Sequence, residues 1–278
     1  MKKELVIVRG GGDIATGTIA KLFQSGFLVL ILEIDNPSAI RRKVAFCDAV
    51  FDKVAQVEDM TCVLAESKEE LKDIWEKNQI PLMIDPEGRM IEELTPIAVI
   101  DGILAKKNLG TKRDMAPITI GLGPGFSAPE DVCAVIETKR GHRLGRVIYE
   151  GSAIANTGIP GIIGGYGKER VIHAPVSGKI KNIHEIGDLV EKGEVIAKIG
   201  DTPVLASLTG VLRGIIKDGY PVTKGLKIAD IDPRKEEQKN CYTISDKARC
   251  VGGGALEALM HLLWLQEENQ QKRERENA

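Results

Sequence analysis

A chain of 278 residues, 43% hydrophobic and 28% charged, is long enough for two domains with cores of their own and has the composition of an ordinary globular protein. A net charge of −2 argues against general nucleic-acid binding, which needs a basic footprint. The start MKKELVIVRGGG is too Gly-rich for a signal peptide, no apolar run approaches the roughly 18 residues of a membrane span, and the five cysteines form no C-x-x-C pair. The expectation is a cytoplasmic protein with no nucleic-acid partner, no membrane contact, no structural zinc and no disulfide framework; a homo-oligomer is left open.

The first element is an apolar strand, ELVIVR, ending at Arg9. It runs into Gly10-Gly11-Gly12-Asp13-Ile14-Ala15-Thr16 and a helical segment, and a second apolar strand then ends at Glu33. This is a β-α-β unit with G-x-G-x-x-A at its first turn. Glycine lets the backbone approach a phosphate, a helix N-terminus offers free N–H groups, and an acid at the second strand tip suits a ribose diol. Arg9, Gly10, Gly11, Gly12, Asp13, Thr16 and Glu33 are therefore candidates for holding a phosphate-bearing nucleotide. Asp13 speaks against it, because it puts a negative charge where a pyrophosphate would sit; a plain strand-turn-helix with Asp13 as a cap is the competing reading.

Further strands are expected at 49–51, 81–84, 97–100 and 117–122, with helices at 67–78 and 102–109. Such alternation implies an α/β, Rossmann-like, doubly wound parallel sheet over 1–168, with ligands at the carboxyl ends of its strands. Two segments leave strand ends there. One carries Arg41 and Arg42, an arginine pair able to clamp an anion. The other is a turn with Gly123 and Gly125, readable as a cradle or as a tight turn only. Residues 137–167 are dense in Gly and charge, and Arg140, His142, Arg143 and Arg146 make a local basic patch that is either anion-seeking or simply solvated.

From 171 to 232 one motif is written twice, 32 residues apart. Ala174, Gly178, Ile183, Gly187, Val190, Lys192 and Gly193 recur as Ala206, Gly210, Ile215, Gly219, Val222, Lys224 and Gly225. Short apolar strands broken by Gly turns in two copies resemble the all-β barrel-sandwich hybrid of biotinyl/lipoyl carriers. The junction where such carriers hold their lysine is Gly200-Asp201-Thr202-Pro203, and alternation sets Lys198 beside the sheet. No biotin or lipoate is expected.

The remainder, 233–278, holds a charged linker, Cys241, the block TISDKARC ending at Cys250, the run Gly252-Gly253-Gly254, an apolar helix and a charged tail expected to fray. Gly252 and Gly253 can be read as a second anion cradle or as a close backbone crossing.

The blocks VRGGGDIATG, PSAIRRKVAF, MAPITIGLGPGF, VIETKRGHRLGR and TISDKARCVGGGALEA, in that order, resemble the YqeB-type accessory proteins of selenium-dependent molybdenum hydroxylases. The resemblance implies a maturation factor whose partners are the apo-hydroxylase and the selenium-donor machinery, and whose ligand is molybdopterin dinucleotide. An NAD(P)-dependent oxidoreductase on the same glycine loop and a non-catalytic docking chaperone remain alternatives. Carrying selenium on sulfur would need an accessible thiolate near basic groups. Cys241, beside Lys247 and Arg249 in sequence, ranks ahead of Cys47, which follows Arg41-Arg42-Lys43, and of Cys250.

Overall fold

The computed structural model describes residues 4–156, 158 and 161–276. Its first half is built on strands β1 (Leu5–Arg9), β2 (Leu28–Glu33), β3 (Val54–Val57), β4 (Met60–Leu64), β5 (Ile80–Ile84), β6 (Ala98–Asp101), β7 (Ile118–Leu122), β8 (Ser127–Ala128), β9 (Ala134–Ile136), β10 (Val147–Ile148) and β11 (Gly151–Ser152). Nine of these form one sheet in the order β10-β9-β7-β6-β1-β2-β5-β4-β3, and β8 pairs with β11 apart from it. Continuous apolar runs such as Val6–Val8 and Val29–Ile31 are buried on both faces, as central parallel strands require. Helix α1 (Asp13–Gln24) and the long C-terminal α5 (Asp246–Glu276) cover one face; the short helices α3 (Leu71–Glu76) and α4 (Arg89–Leu94) cover the other.

The expected doubly wound parallel sheet is corrected to a mixed sheet. Both edges are antiparallel: β3 runs against β4, and β10 against β9. The β3–β4 hairpin turns through Glu58-Asp59, with Glu58 in the left-handed region at φ 54°, a turn without glycine that sequence reading passed over. Residues 49–51 belong to helix α2 (Ala49–Asp52) rather than a strand. The expected helix at 102–109 is absent: that stretch is irregular, with Leu104 and Lys106 at positive φ. The basic stretch 137–167 contains β10, β11 and an Ile163–Tyr166 bridge, while residues 157, 159 and 160 lie outside the described ones.

The repeats supply β12 (Val171–His173), β13 (Gly178–Asn182), β14 (Leu189–Val190), β15 (Val195–Ile199), β16 (Thr202–Leu205), β17 (Gly210–Ile215), β18 (Pro221–Val222) and β19 (Lys227–Asp232). They make two four-stranded antiparallel sheets, β12-β19-β17-β14 and β16-β15-β13-β18, each drawing on both repeats. A separate apolar cluster with Ile180, Ile196, Val211, Leu212 and Ile231 fills the space between them. The carrier-type barrel-sandwich assignment is corrected accordingly. The strands form two separate four-stranded sheets, and this pair of sheets is fastened to the first half of the chain. Arg42 Nε donates to the Ile215 carbonyl at 2.9 Å, Lys217 pairs with Asp52, and the Tyr220 hydroxyl donates to the Asn36 carbonyl at 3.0 Å. Gly214 takes the backbone of Ile40 so closely that a Cβ would lie 2.9 Å from its carbonyl oxygen.

Gly252, Gly253 and Gly254 lie within α5, so they are not a cradle at its N-terminus. Gly252 sits where α5 crosses α1: a Cβ there would collide with the Gly17 backbone, and one on Gly17 with that of Ala248. Small residues on both helices let the axes approach. The charged tail, expected to fray, continues α5 as helix to Glu276.

Candidate functional site: a cationic cleft beside a filled glycine loop

In the glycine loop after β1, Gly10 and Gly11 are packed against the protein itself, whereas Gly12 has nothing within 4 Å of its would-be Cβ. The Gly11 N–H donates to Glu33 Oε2 at 2.8 Å, and the Ile34 N–H donates to Glu33 Oε1 at 2.9 Å. The Gly11 carbonyl accepts from the Cys47 N–H at 2.9 Å and from the Thr16 hydroxyl at 3.2 Å, and Thr16 in turn accepts from the Phe46 N–H at 3.1 Å. A Cβ on Gly11 would stand 2.9 Å from the Cys47 nitrogen, and one on Gly10 would stand 3.0 Å from the Cα of Ile103. Glycine is needed here because chain packs on chain. Burial raises the pKa of Glu33, against the lowering effect of its two N–H donors. Its carboxylate is committed to the loop and is not presented to a ribose.

Other candidates are also in structural service. Arg9, 6% exposed, donates to the Thr111 hydroxyl at 2.6 Å and lies 3.7 Å from Asp101. Arg42 turns away to Ile215 and to Asp48 at 3.5 Å. Gly123 and Gly125, at φ 82° and 117°, are closely approached by Thr138 and by the Lys107 backbone. His142 is exposed on its loop and borders none of the cavities described below. Cys47 is buried and its thiol is pushed well up, first by desolvation and then by Glu33. Cys250 is exposed, with its sulfur 3.2 Å from the Leu144 carbonyl. Cys241 is 2% exposed; burial raises its pKa, while Arg41 and Arg213 pull it down. Of the three, Cys241 is the one beside cations, and it is not accessible.

The residues that do converge come from distant parts of the sequence. Between the N-terminus of α1 and the sheet containing β17 and β19 lies a cavity of about 300 Å³. Its charged walls are six cations, Arg41, Arg140, Arg170, Arg213, Lys227 and Lys247, against two anions, Asp13 and Asp230. Much of this charge is compensated: Arg170 Nη2 donates to both Asp230 oxygens at 2.9 Å, and Arg213 Nη1 reaches Asp230 at 3.5 Å. Arg140 forks onto Asp246 at 2.7 and 2.9 Å at the rim, and this hydrogen bond drops the Asp246 carboxyl to about 2.

Arg41 is different. It is 7% exposed, its Nη1 lies 3.6 Å from Asp13, and its Nε and Nη2 have no hydrogen-bond partner among the described residues. Desolvation lowers its pKa first, and Arg213 lowers it further. Lys247, also lining the cavity, is lowered by desolvation and by Arg140. A buried guanidinium with orphaned donors beside further cations is costly to maintain unless an anion satisfies it. Asp13 thus has a second use: besides opening α1, it neutralises part of Arg41.

Sequence reading placed Arg41, Asp13 and Arg140 among the candidates, and these three come together. Arg170, Arg213 and Lys227 were missed. The one local signal for them was Asp230 and Asp232 inside the buried strand KIADID, since carboxylates in an apolar strand require cationic partners. Among the described residues no cluster of three or more His, Cys, Asp or Glu could hold a metal, and no helix is long and apolar enough to cross a membrane.

No protein-family model matches the chain. Among solved structures, it is similar to the product-bound ectoine utilization protein EutE (DoeB) of Ruegeria pomeroyi, with 11% identity, 82% of this chain and 85% of that one covered, and a TM-score of 0.25. It is also similar to a succinylglutamate desuccinylase/aspartoacylase of Rhodobacter sphaeroides, with 13% identity, 82% and 85% coverage, and a TM-score of 0.28. Over 260 residues it is 52% identical to the protein named "Uncharacterized protein YqeB" of Escherichia coli (strain K12), covering 94% of this chain and 48% of the relative. The chain therefore spans about half the length of that relative and is similar to it over nearly all of its own, which supports the YqeB-type family to which its motifs point.

Proposed function

We propose that this chain binds a phosphate-bearing ligand in the cationic cleft between its two halves, and not on the glycine loop. The observation that carries the reading is Arg41, nearly buried, with two unpartnered guanidinium nitrogens in a cavity with an excess of positive side chains. A phosphate or pyrophosphate supplies the missing acceptors in charge-assisted geometry. In the setting that the YqeB-type resemblance implies, the ligand is molybdopterin dinucleotide or a part of it, and the chain is a maturation factor that presents it to an immature molybdenum hydroxylase. The commitment of Glu33 to Gly11 and Ile34 favours this over an NAD-dependent oxidoreductase, which would need an acid free for the ribose.

The test is calorimetry of the wild-type chain and of Arg41→Met with inorganic pyrophosphate, NAD and molybdopterin cytosine dinucleotide. Binding of pyrophosphate and of the molybdopterin dinucleotide, weakened in Arg41→Met, is the expected result. Tight NAD binding that survives Arg41→Met would put the ligand elsewhere and overturn the reading. For the maturation role, a co-expressed hydroxylase should lose activity and selenium content with Arg41→Met; full loading would leave an anion-binding protein without that role.

A further inference from the structure

We infer that the anion cavity continues into a second compartment that receives a ring of the ligand, so that the ligand class is a phosphorylated heterocycle of nucleotide type rather than a simple phosphate ester. This rests on the anion-binding reading above and assigns a place in the structure to the ring that such a ligand carries. The second cavity, of about 390 Å³, is lined by the apolar side chains of Ile14, Leu104, Pro124 and Ile154 together with the cations Lys106 and Lys139. It shares Arg140, Gly161 and Lys247 with the cavity of Arg41, so the two are neighbours across a cationic partition.

Its position follows from the sheet. From β1 the chain moves out to β2 on one side, and β6, β7 and β9 follow on the other, so strand order reverses between β1 and β6. Open α/β sheets leave a crevice at that point, outside the carboxyl ends of the strands. Here the Ile103 backbone packs against Gly10, and Ile14, Leu104 and Pro124, in the segments that follow β1, β6 and β7, line the cavity. Leu104 is held at φ 58°, a backbone region that a leucine rarely adopts. Ile154, exposed though apolar, is anchored through its N–H, which donates to the buried Glu137 Oε2 at 2.8 Å. An apolar lining suits an aromatic ring, and the adjoining cations suit the phosphates attached to it. Arg140 and Lys247, on the partition, are placed to meet the phosphate nearest the ring.

The experiment compares inorganic pyrophosphate with CTP, GTP and ATP by calorimetry on the full chain, with Leu104→Gly and Ile154→Ser as variants. Glycine accepts the backbone of position 104, and Ile154 lies at the surface, so both variants should fold; thermal melts verify it. The expected result is that at least one nucleotide binds about tenfold more tightly than pyrophosphate and competes with it. Both variants should then reduce the nucleotide to the pyrophosphate level and leave pyrophosphate unchanged. Pyrophosphate binding with no gain for any nucleotide overturns the ring compartment while the anion site stands. Nucleotide gain that survives both variants places the ring elsewhere and also overturns it. If neither pyrophosphate nor a nucleotide binds, the anion reading itself has failed.

Discussion

The glycine loop and the cationic cleft lie at the same end of α1 and behave in opposite ways. The loop has the motif of a ligand site, yet Glu33 takes the N–H of Gly11, and Cys47 and Thr16 take its carbonyl. The cleft has no motif, yet it keeps a buried guanidinium whose Nε and Nη2 find no acceptor among the described residues. The contrast teaches that a glycine-rich turn marks a close backbone approach without saying what approaches, whereas unsatisfied buried donors mark a place where something is missing.

If the comparison holds, substitutions in the two regions separate binding from stability. The largest effect is expected at Arg41. Arg41→Met keeps the bulk of the side chain and removes the charge, so pyrophosphate should weaken by about 1.5–3 kcal/mol for each charged hydrogen bond lost, as read by calorimetry. The thermal midpoint should hold or rise, because the ligand-free protein no longer buries orphaned donors. Unchanged affinity would move the site out of the cleft.

Next come the packing glycines. Gly11→Ala puts a Cβ against the Cys47 backbone and Gly252→Ala puts one into Gly17, so each should cost about 1–3 kcal/mol in urea unfolding, with pyrophosphate affinity of the folded protein retained. Loss of affinity in Gly11→Ala at undiminished stability would return the loop to a binding role. A smaller effect of opposite sign is expected one residue on. Gly253 has nothing within 4 Å of its would-be Cβ and lies inside α5, so Gly253→Ala should stabilise by about 0.5–1 kcal/mol. A destabilised Gly253→Ala would mean that the α1–α5 contact is broader than one glycine.

The smallest effect is in pH dependence, and it too differs in sign between the regions. Burial raises the folded-state pKa of Glu33 above its ordinary 4.5, so the native state binds the proton more firmly than the unfolded chain. Its contribution to stability is therefore greatest at acid pH and falls as pH rises from 4.5 through the folded value. Asp246 is the reverse: held at about 2 by Arg140 against an ordinary 3.8, it contributes stability above 3.8 that is lost as pH falls towards 2. Its side chain is 72% exposed, so solvent screening keeps the contribution small. Urea midpoints between pH 2 and 7 should show the acid-side loss blunted in Asp246→Asn and the decline above pH 4.5 blunted in Glu33→Gln. Identical profiles in wild type and both variants would remove these two carboxylates from the account.

Much of the chain could be read in advance where the signal is local. The apolar runs at β1, β2, β5 and β7 are strands because continuous Val, Ile and Leu can be buried only within a sheet covered on both faces. Residues 171–232 are antiparallel hairpins because each copy alternates short apolar runs with glycine turns. What was misread had weak local signals. Hairpin β3–β4 turns without glycine, residues 49–51 are apolar yet form a single helical turn, and 102–109 has helical composition in a stretch whose backbone is bent by strand-end packing.

The sequence by itself determined the strand-turn-helix at β1–α1, the 32-residue repeat, the presence of charged residues in the buried strand β19, and an arginine pair after β2. Tertiary structure alone decided which member of that pair is left without acceptors among the described residues. Arg42 reaches a backbone carbonyl of the docked sheets and is satisfied, whereas Arg41, one residue earlier, points into the space between the two halves and is not. Likewise Gly252 became a helix crossing and Glu33 a brace for the loop. The physical reason is that satisfaction of a polar group depends on its distance to partners elsewhere in the chain, and periodicity and motif spacing carry no information about that distance.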